Sequence, residues 1–586
     1  MAQADAAAGR EPEPWIDPEL AAHSGLFERR IHKVGERVWC AVGYNLANII
    51  AVEGPEGLVI VDTGLEMRQG EEVLADLRQI TEKPVAAIVY THHHVDHVQG
   101  TRAFGSEEEI DSGAVPVIAH ESLMEHYVQE NGAIGPIMSA RAISMYNVAL
   151  DGAEMEGMNL GIGPFLRAGE NGFVPPTETF GDEHRVTLAG VRMEMYWVPS
   201  EAHSEVCILL PDDRTLLSAE VIQDHCFPNL YTLRGALFRD PQRWCRSIDA
   251  MRQYGAEVEH MVLQHGTPVS GNGEIHTVLR NYRDAIQFTH DQTMRWANKG
   301  YAKDEIARMV RLPPHLESFA PWLRPFYGSV EHAVPQIYSG AIGWFDGDPV
   351  ALAPTPRQDY AERVVAMMGG REAVLESAAV SLGDGEPQFA AELCTLLIRI
   401  DRQDREAREV KARAFRELGY AAKNISWRGF YLTGARVLDG SLDLDPLYRV
   451  MGMVAANPEA LRRMPAHALV ELMPLRLKAE EAHDVEERVG LRFTDVGEEW
   501  VVEVRRGVAV VEPSGGSASR SGAGGELVAI ASGDRAALGV LAAGTVAAER
   551  AVETPGVEVA GSRDGLVRFL GRFEVLYERF PDYFVR

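Results

Sequence analysis

Cysteine is scarce in this chain. The 586 residues contain five, Cys40, Cys207, Cys226, Cys245 and Cys394, with no CxxC pair and no closely spaced framework. That excludes a disulfide scaffold and fits buried thiols in a reducing compartment. Apolar runs long enough to span a bilayer are also missing, so no integral membrane segment is expected. The opening MAQADAAAGREPEPWIDPEL has neither a basic start nor an apolar stretch. No secretory signal is read there, and a cytoplasmic protein is expected. Basic residues are outnumbered: 57 Lys and Arg face 86 Asp and Glu, for a net charge of −29. Such a field repels a phosphate backbone and argues against a nucleic-acid partner. An anionic substrate would need local positive charge.

What is present is an ordinary globular composition, 46% apolar and 24% charged, in a chain too long for one core. Residues 1–25 are rich in Ala, Glu and Pro and read as an extended arm. From 37, RVWCAVGYNLANIIAVEGPEGLVIVDTG alternates around an EGPEG turn, EMRQGEEVLADLRQI has helical spacing, and PVAAIVYTH is again a buried strand. This strand–helix–strand order predicts an α/β layered fold. Between about 280 and 440 the strand signal gives way to apolar residues three and four apart, a helical region. Helices near 458–482 and strands in LRFTDVGEEWVVEVRRGVAVVE follow, with PSGGSASRSGAGG (513–525) as a flexible loop.

Residues 91–97, THHHVDH, place four histidines and an aspartate directly after a strand. A loop there can turn His92, His94 and His97 inward with Asp96, which is the donor chemistry zinc accepts. His93 points the other way along an extended backbone. A surface histidine cluster is the alternative, but HxHxDH is a specific spacing. Downstream, VPSEAHSEV offers Glu201, His203 and Glu205, LLSAEV offers Glu220, and MVLQHGTP offers His265, each at a predicted strand end. One rim of the sheet would then carry enough ligands for two metals.

HxHxDH behind VIVDTG resembles the metallo-β-lactamase superfamily. Glutamates at 201 and 220, with NLYTLRGA (229–236), IGWFDGDP (342–349) and SWRGFYLTGA (426–435), resemble its alkylsulfatase branch. The resemblance implies a metallo-β-lactamase αββα sandwich at 26–345, an all-α dimerisation domain at 346–442 and an α+β sterol-carrier-like domain at 443–586. It also implies two zinc ions per chain: His92, His94 and Glu201 on one, Asp96, His97 and His265 on the other, and Glu220 bridging. Glu220 and Asp96 are the expected catalytic carboxylates. Asp62 would fix a ligand imidazole from outside the ligand set, although it also reads as a strand-ending turn residue. Arg234, Asn229 and Tyr338 would bind sulfate.

The expected activity is hydrolysis of an alkyl sulfate ester to alcohol and sulfate, by a homodimer built on the helical region. NLGIGPFL (159–166) is a candidate wall for the alkyl chain, and the last domain either holds the tail or serves only packing. The chain departs from the family at His93 and Val98-Gln99, in SEAHSEV, whose His203 is an additional possible ligand, and at position 239, which is Arg where some members have a histidine, so the proton donor is open. Competing readings are a lactone, thioester or β-lactam hydrolase, and a mononuclear iron dioxygenase acting on persulfides.

Overall fold

Strands β1 (Arg30–Val34), β2 (Val38–Val42), β3 (Ile49–Glu53), β4 (Leu58–Val61), β5 (Val85–Val89), β6 (Val117–His120) and β7 (Glu178–Phe180) form one sheet in chain order. They come from a computed structural model that describes residues 13–165, 169–514 and 526–585. The first four strands are an antiparallel meander, and β5 to β7 then add in parallel. A second sheet holds β8 (Glu183–Leu188), β9 (Val191–Trp197), β10 (Val206–Leu210), β11 (Thr215–Leu217), β12 (His260–Val262) and β13 (Val269–Ser270), ordered β13-β12-β11-β10-β9-β8.

The two-residue period sorts the side chains. Val38, Cys40, Val42, Ile50, Val52, Val59, Val61, Ala87 and Val89 meet Val191, Met193, Met195, Val206, Ile208, Leu210, Leu217 and Val262 between the sheets. The alternate positions Ala41, Ile49, Ala51, Leu58, Ile60 and Ile88 pack outward on helix Met67–Leu77 through Val73 and Leu77. Strands apolar on both faces need cover on both. Over the second sheet lie helices Pro241–Tyr254, Asn272–Ala297 and Val330–Ile342, which contribute Trp244, Ile248, Val278, Tyr282, Val334 and Ile337. The result is the expected αββα sandwich. Helix Pro241–Tyr254 starts where Asp240 caps the amides of Gln242 and Arg243, with Pro241 at the first turn.

Helices Arg357–Met367, Arg371–Gly383, Pro387–Ile400, Arg405–Ala421 and Ile425–Leu438 build the predicted helical region. Its core also takes in Tyr577, Phe580 and Phe584 from the far end of the chain. The last sheet, β14 (Glu486–Phe493), β15 (Glu498–Arg505), β16 (Val508–Pro513), β17 (Ala529–Gly533) and β18 (Glu558–Gly561), is ordered β16-β15-β14-β17-β18 and is covered by helices Arg535–Ala543 and Arg563–Leu570.

One expectation is corrected. The described part of the N-terminal arm is not extended: Pro18–His23 is a helix capped by Asp17, and its Leu20 is buried. The Asp-Pro start and one inward leucine outweigh the polar composition. Residues 1–12, Leu166 of the expected wall and residues 515–525 of the expected loop lie outside the described residues.

Candidate metal centre

Parallel pairing puts the predicted ligands on one rim. β4 and β5 are paired at Val61 and Val89; Asp62 follows the first strand and His92–His97 the second. β11 and β12 are paired at Leu217 and Val262, so Glu220 and His265 each stand three residues past the same rung. Glu201 lies in the turn between β9 and β10. The backbone is bent hard at two of these exits, with φ of +57° at Asp62 and +54° at Ala219. Left-handed values in non-glycine residues are costly and persist where the surroundings enforce them.

The donor atoms converge. His92 Nε2 lies 2.9 Å from His94 Nδ1 and 3.3 Å from Glu220 Oε2, and His94 Nδ1 lies 3.1 Å from Glu201 Oε2. On the other side His97 Nε2 is 3.5 Å from Asp96 Oδ2 and 3.4 Å from Glu220 Oε2. His265 Nε2 is 3.8 Å from Asp96 Oδ2 and 3.5 Å from Glu220 Oε1. Two donors held tetrahedrally at about 2.0–2.2 Å from one zinc lie about 3.3–3.6 Å apart, so most of these separations suit ligands sharing an ion. Glu220 alone approaches both groups.

The tautomers agree. His97 Nδ1 donates to Asp62 Oδ2 at 2.7 Å, and His265 Nδ1 donates to the carbonyls of Leu46 (3.0 Å) and Ile162 (3.1 Å). Thr91 Oγ1 donates to Asp62 Oδ2 at 2.7 Å, so His92 Nδ1, 3.0 Å from that hydroxyl, is the donor between them. Each ring therefore turns a lone pair into the cluster, where the buried His97 Nε2, His265 Nε2 and Glu201 Oε2 have no hydrogen-bond partner. Buried polar atoms are rarely left so, and a cation is the partner this donor set fits.

Charge is unevenly held. Burial pulls His94 well below the ordinary imidazole range, whereas at His97 the carboxylates of Asp96, Asp62 and Glu220 outweigh burial and, with no cation bound, hold it well above, so a cation binding at His97 Nε2 would displace a proton there. Burial works against the Glu220 charge, but His265, His92 and His94 keep its carboxyl well below the usual range. Glu205 buttresses Glu220: its Oε1 accepts the Glu220 backbone amide at 2.7 Å, and burial pushes its carboxyl up to about 8.

Beside the cluster the Asn229 side chain is buried with neither amide atom hydrogen-bonded. Arg234 Nη1 lies 3.4 Å from Glu130 Oε2, and its guanidinium is also within hydrogen-bond reach of Tyr146, whose hydroxyl is 3.1 Å from that of Tyr327. Tyr338 is placed differently. It sits in the apolar cluster beneath the second sheet with Val221, Ile222 and Leu230, because the inward face of helix Val330–Ile342 is a packing face. His203 stays outside the ligand groups, with its ring centroid 5.1 Å from that of His126. His93 has its Nδ1 2.8 Å from Ser204 Oγ and its Nε2 3.7 Å from Glu130 Oε1, and with Glu130 it joins His94 in a further buried group of donor atoms at the edge of the cluster.

Several residues at the site carried no sequence signal of their own. Gln223 donates to Glu220 Oε1 at 2.9 Å and accepts the Asn229 backbone N–H at 2.6 Å, and Gln264 donates to Asp62 Oδ2. Arg239, noted only as a departure, is fully buried. Its Nη2 lies 2.5 Å from Glu201 Oε1 and its Nη1 donates to the Asn229 carbonyl at 2.6 Å.

Comparison with known proteins agrees with this arrangement. Residues 42–265 match the metallo-beta-lactamase superfamily, 302–441 the alkyl sulfatase dimerisation domain and 454–581 the alkyl sulfatase C-terminal domain. The chain is 46% identical over 461 residues to a linear primary-alkylsulfatase of Pseudomonas sp., covering 78% of this chain and 87% of that one. It is 31% identical over 512 residues to an (R)-specific secondary-alkylsulfatase of Pseudomonas sp., covering 86% and 75%. The solved structure of the stereoselective inverting sec-alkylsulfatase Pisa1 from Pseudomonas sp. superimposes with a TM-score of 0.84 at 26% identity, covering 98% of this chain and 89% of that one. A rim of candidate metal ligands on an αββα sandwich, followed by these two further domains, places the chain in the alkylsulfatase family of the metallo-β-lactamase superfamily.

Proposed function

We propose that the protein hydrolyses alkyl sulfate esters to the alcohol and inorganic sulfate, with two zinc ions as its metals. Support comes above all from the seven donors, His92, His94, Glu201, Glu220, Asp96, His97 and His265, gathered in two adjoining groups. In this reading His92, His94 and Glu201 hold one ion, Asp96, His97 and His265 the other, and Glu220 both. Bound there, the ions would supply charge for an anionic ester and bring the pKa of a shared water toward neutrality.

The chain's own side chains do the rest. Asp62 fixes the His97 tautomer, and Asp96, with 13% of its side chain exposed, is the ligand carboxylate placed to take the water's proton. Arg234 and the unpaired Asn229 amide hold the sulfate group, with Tyr146 and Tyr327 beside Arg234. Tyr338, packed in the apolar cluster with Leu230, is not given a sulfate-binding role in this reading. Ile162, whose carbonyl steadies His265, brings the 159–165 stretch close enough to serve as an alkyl wall. Arg239 is engaged by Glu201 and Asn229, and arginine is a poor acid. Cleavage of the C–O bond, which releases sulfate rather than an alkoxide, therefore suits this site, because sulfate is a weak base and needs no strong proton donor.

Dodecyl sulfate incubated with the zinc-loaded protein should release free sulfate, and in heavy-oxygen water the label should enter the alcohol. Release of no sulfate by metal-saturated protein would sink the reading. One iron per chain with sulfur oxidation would point to the dioxygenase alternative.

Residues 26–345, 346–442 and 443–586 serve in this reading as catalytic, dimerisation and C-terminal units behind the segment 1–25. A homodimer is supported by apolar side chains left on and beside the helical region: Trp344 is 63%, Val350 75% and Met367 87% exposed. The match of residues 302–441 to the alkyl sulfatase dimerisation domain supports the same reading, and sedimentation should give twice the 64.5 kDa chain mass. No helix among the described residues is long and apolar enough to cross a membrane. A cytoplasmic location rests on the five buried, unpaired cysteines. The C-terminal unit has its own cavity of about 260 Å³, lined by Arg476, Leu541, Val546, Leu570 and Phe573, so it can contribute more than packing.

A further inference from the structure

Away from the seven ligands, a second buried set of metal-binding side chains comes together. His23, Asp224 and His225 each bring one donor atom within 4.8 Å of the others. His23 closes helix Pro18–His23, while Asp224 and His225 lie just past the Glu220 turn. Asp224 is 0% exposed, and neither of its carboxylate oxygens accepts a hydrogen bond of ordinary geometry. It is also locked in place. Its φ is +51°, and a Cβ on the adjoining Gly266 would stand only 2.1 Å from Asp224 Oδ1, so the carboxylate fills the space on that side. A buried carboxylate is unfavourable unless it is paired, protonated or bound to a cation.

We propose that His23, Asp224 and His225 form a separate cation site of zinc's chemical class. His23 Nε2 lies 3.4 Å from Asp224 Oδ2, inside the roughly 3.3–3.6 Å expected of two donors on one zinc and matching the separations in the paired centre. Burial pulls both His23 and His225 down to about 4, so near neutral pH both rings are uncharged, the form that coordinates. In the cation-free state His23 Nε2 carries the ring's proton and donates it in a hydrogen bond to the Gly161 carbonyl at 2.6 Å. Cation uptake moves the proton to Nδ1, a tautomer exchange with no net charge change. His225 is only half-buried and gives the ion a path from solvent.

Such an ion would fasten the N-terminal helix to the wall of the larger site. Leu20 of that helix packs with Leu46, Leu160, Ile162 and Tyr327, and the Leu46 and Ile162 carbonyls hold His265. The ion's role is therefore bracing, at one remove from the paired centre.

The test is zinc counting joined to anomalous scattering at the zinc edge, on the full chain saturated with zinc and desalted. Wild type should carry three ions per chain, with one anomalous peak among His23, Asp224 and His225. His225→Gln should lose one ion and only that peak, and His23→Gln should do the same in case the first variant folds poorly. A saturated wild type with no peak there overturns the proposal, as does a folded His225→Gln with unchanged zinc content. Failure of the paired centre would instead remove the other two peaks, so the two results are read separately.

Discussion

Arg239 Nη2 lies 2.5 Å from Glu201 Oε1, deep beneath the rim. The guanidinium faces one carboxylate oxygen and His94 the other; burial pushes this carboxyl well above the usual range and Arg239 pulls against it. Removing one partner of a buried ion pair costs about 3–5 kcal/mol. Arg239→Gln should therefore lower the melting temperature more in the metal-free protein than in the zinc-loaded one, where a cation replaces the lost charge. Calorimetry with and without chelator checks this, and equal losses in both states would contradict it.

Asp62→Asn tests the outer support of the ligands. Asparagine tolerates the left-handed backbone at this position, so the fold should survive. However, three donors (Thr91 Oγ1, His97 Nδ1 and Gln264 Nε2) meet on Asp62 Oδ2, and an amide cannot satisfy them all. Zinc affinity should fall about 10–100-fold, as read by competition with a chromogenic chelator.

Arg234→Ala should separate substrate binding from metal binding. Burial works against its charge, but Glu130 and the nearby tyrosines hold the guanidinium above its usual range, so it is charged at any working pH. Losing one charge-assisted hydrogen bond is worth about 1.5–3 kcal/mol, or roughly 10–150-fold in kcat/KM. Zinc content should not change. An unaltered kcat/KM for dodecyl sulfate would remove Arg234 from the sulfate site.

Lys411 gives a pH dependence outside the centre. Burial pulls its ammonium down to about 8, and its Nζ donates to the Phe584 carbonyl at 3.1 Å. The unfolded chain keeps this proton up to about 10.4. Between those values the unfolded state binds more protons, so the Lys411 contribution to stability rises with pH, and it is lost as pH falls through 8. Lys411→Met should therefore compare best with wild type at pH 7, with the difference in melting temperature moving toward wild type as pH approaches 10. A difference independent of pH would refute this.

The rim was legible in the sequence because strand ends and ligands are local there. HxHxDH follows β5 directly, and Glu220 and His265 follow strands readable as VCILLPDDRTLLS and MVL. The helical region and the last sheet were visible in the same way, through their periods. Glu130, Tyr146, Gln223 and Tyr327 were not, because each reaches the site from a loop or helix whose local pattern is ordinary. Tyr338 shows the converse: a tyrosine near a family landmark turned out to sit on a packing face. The N-terminal helix was missed because a single leucine, Leu20, decides its docking.

The donors come from both layers of the sandwich, His92 to His97 from one sheet and Glu201, Glu220 and His265 from the other. During vectorial synthesis the histidine turn leaves the ribosome well before the sheet that completes it, so the nascent chain displays an unfinished chelator. A cation held there would tie one layer to the other, so its removal should loosen the contact between the two sheets before it loosens either sheet.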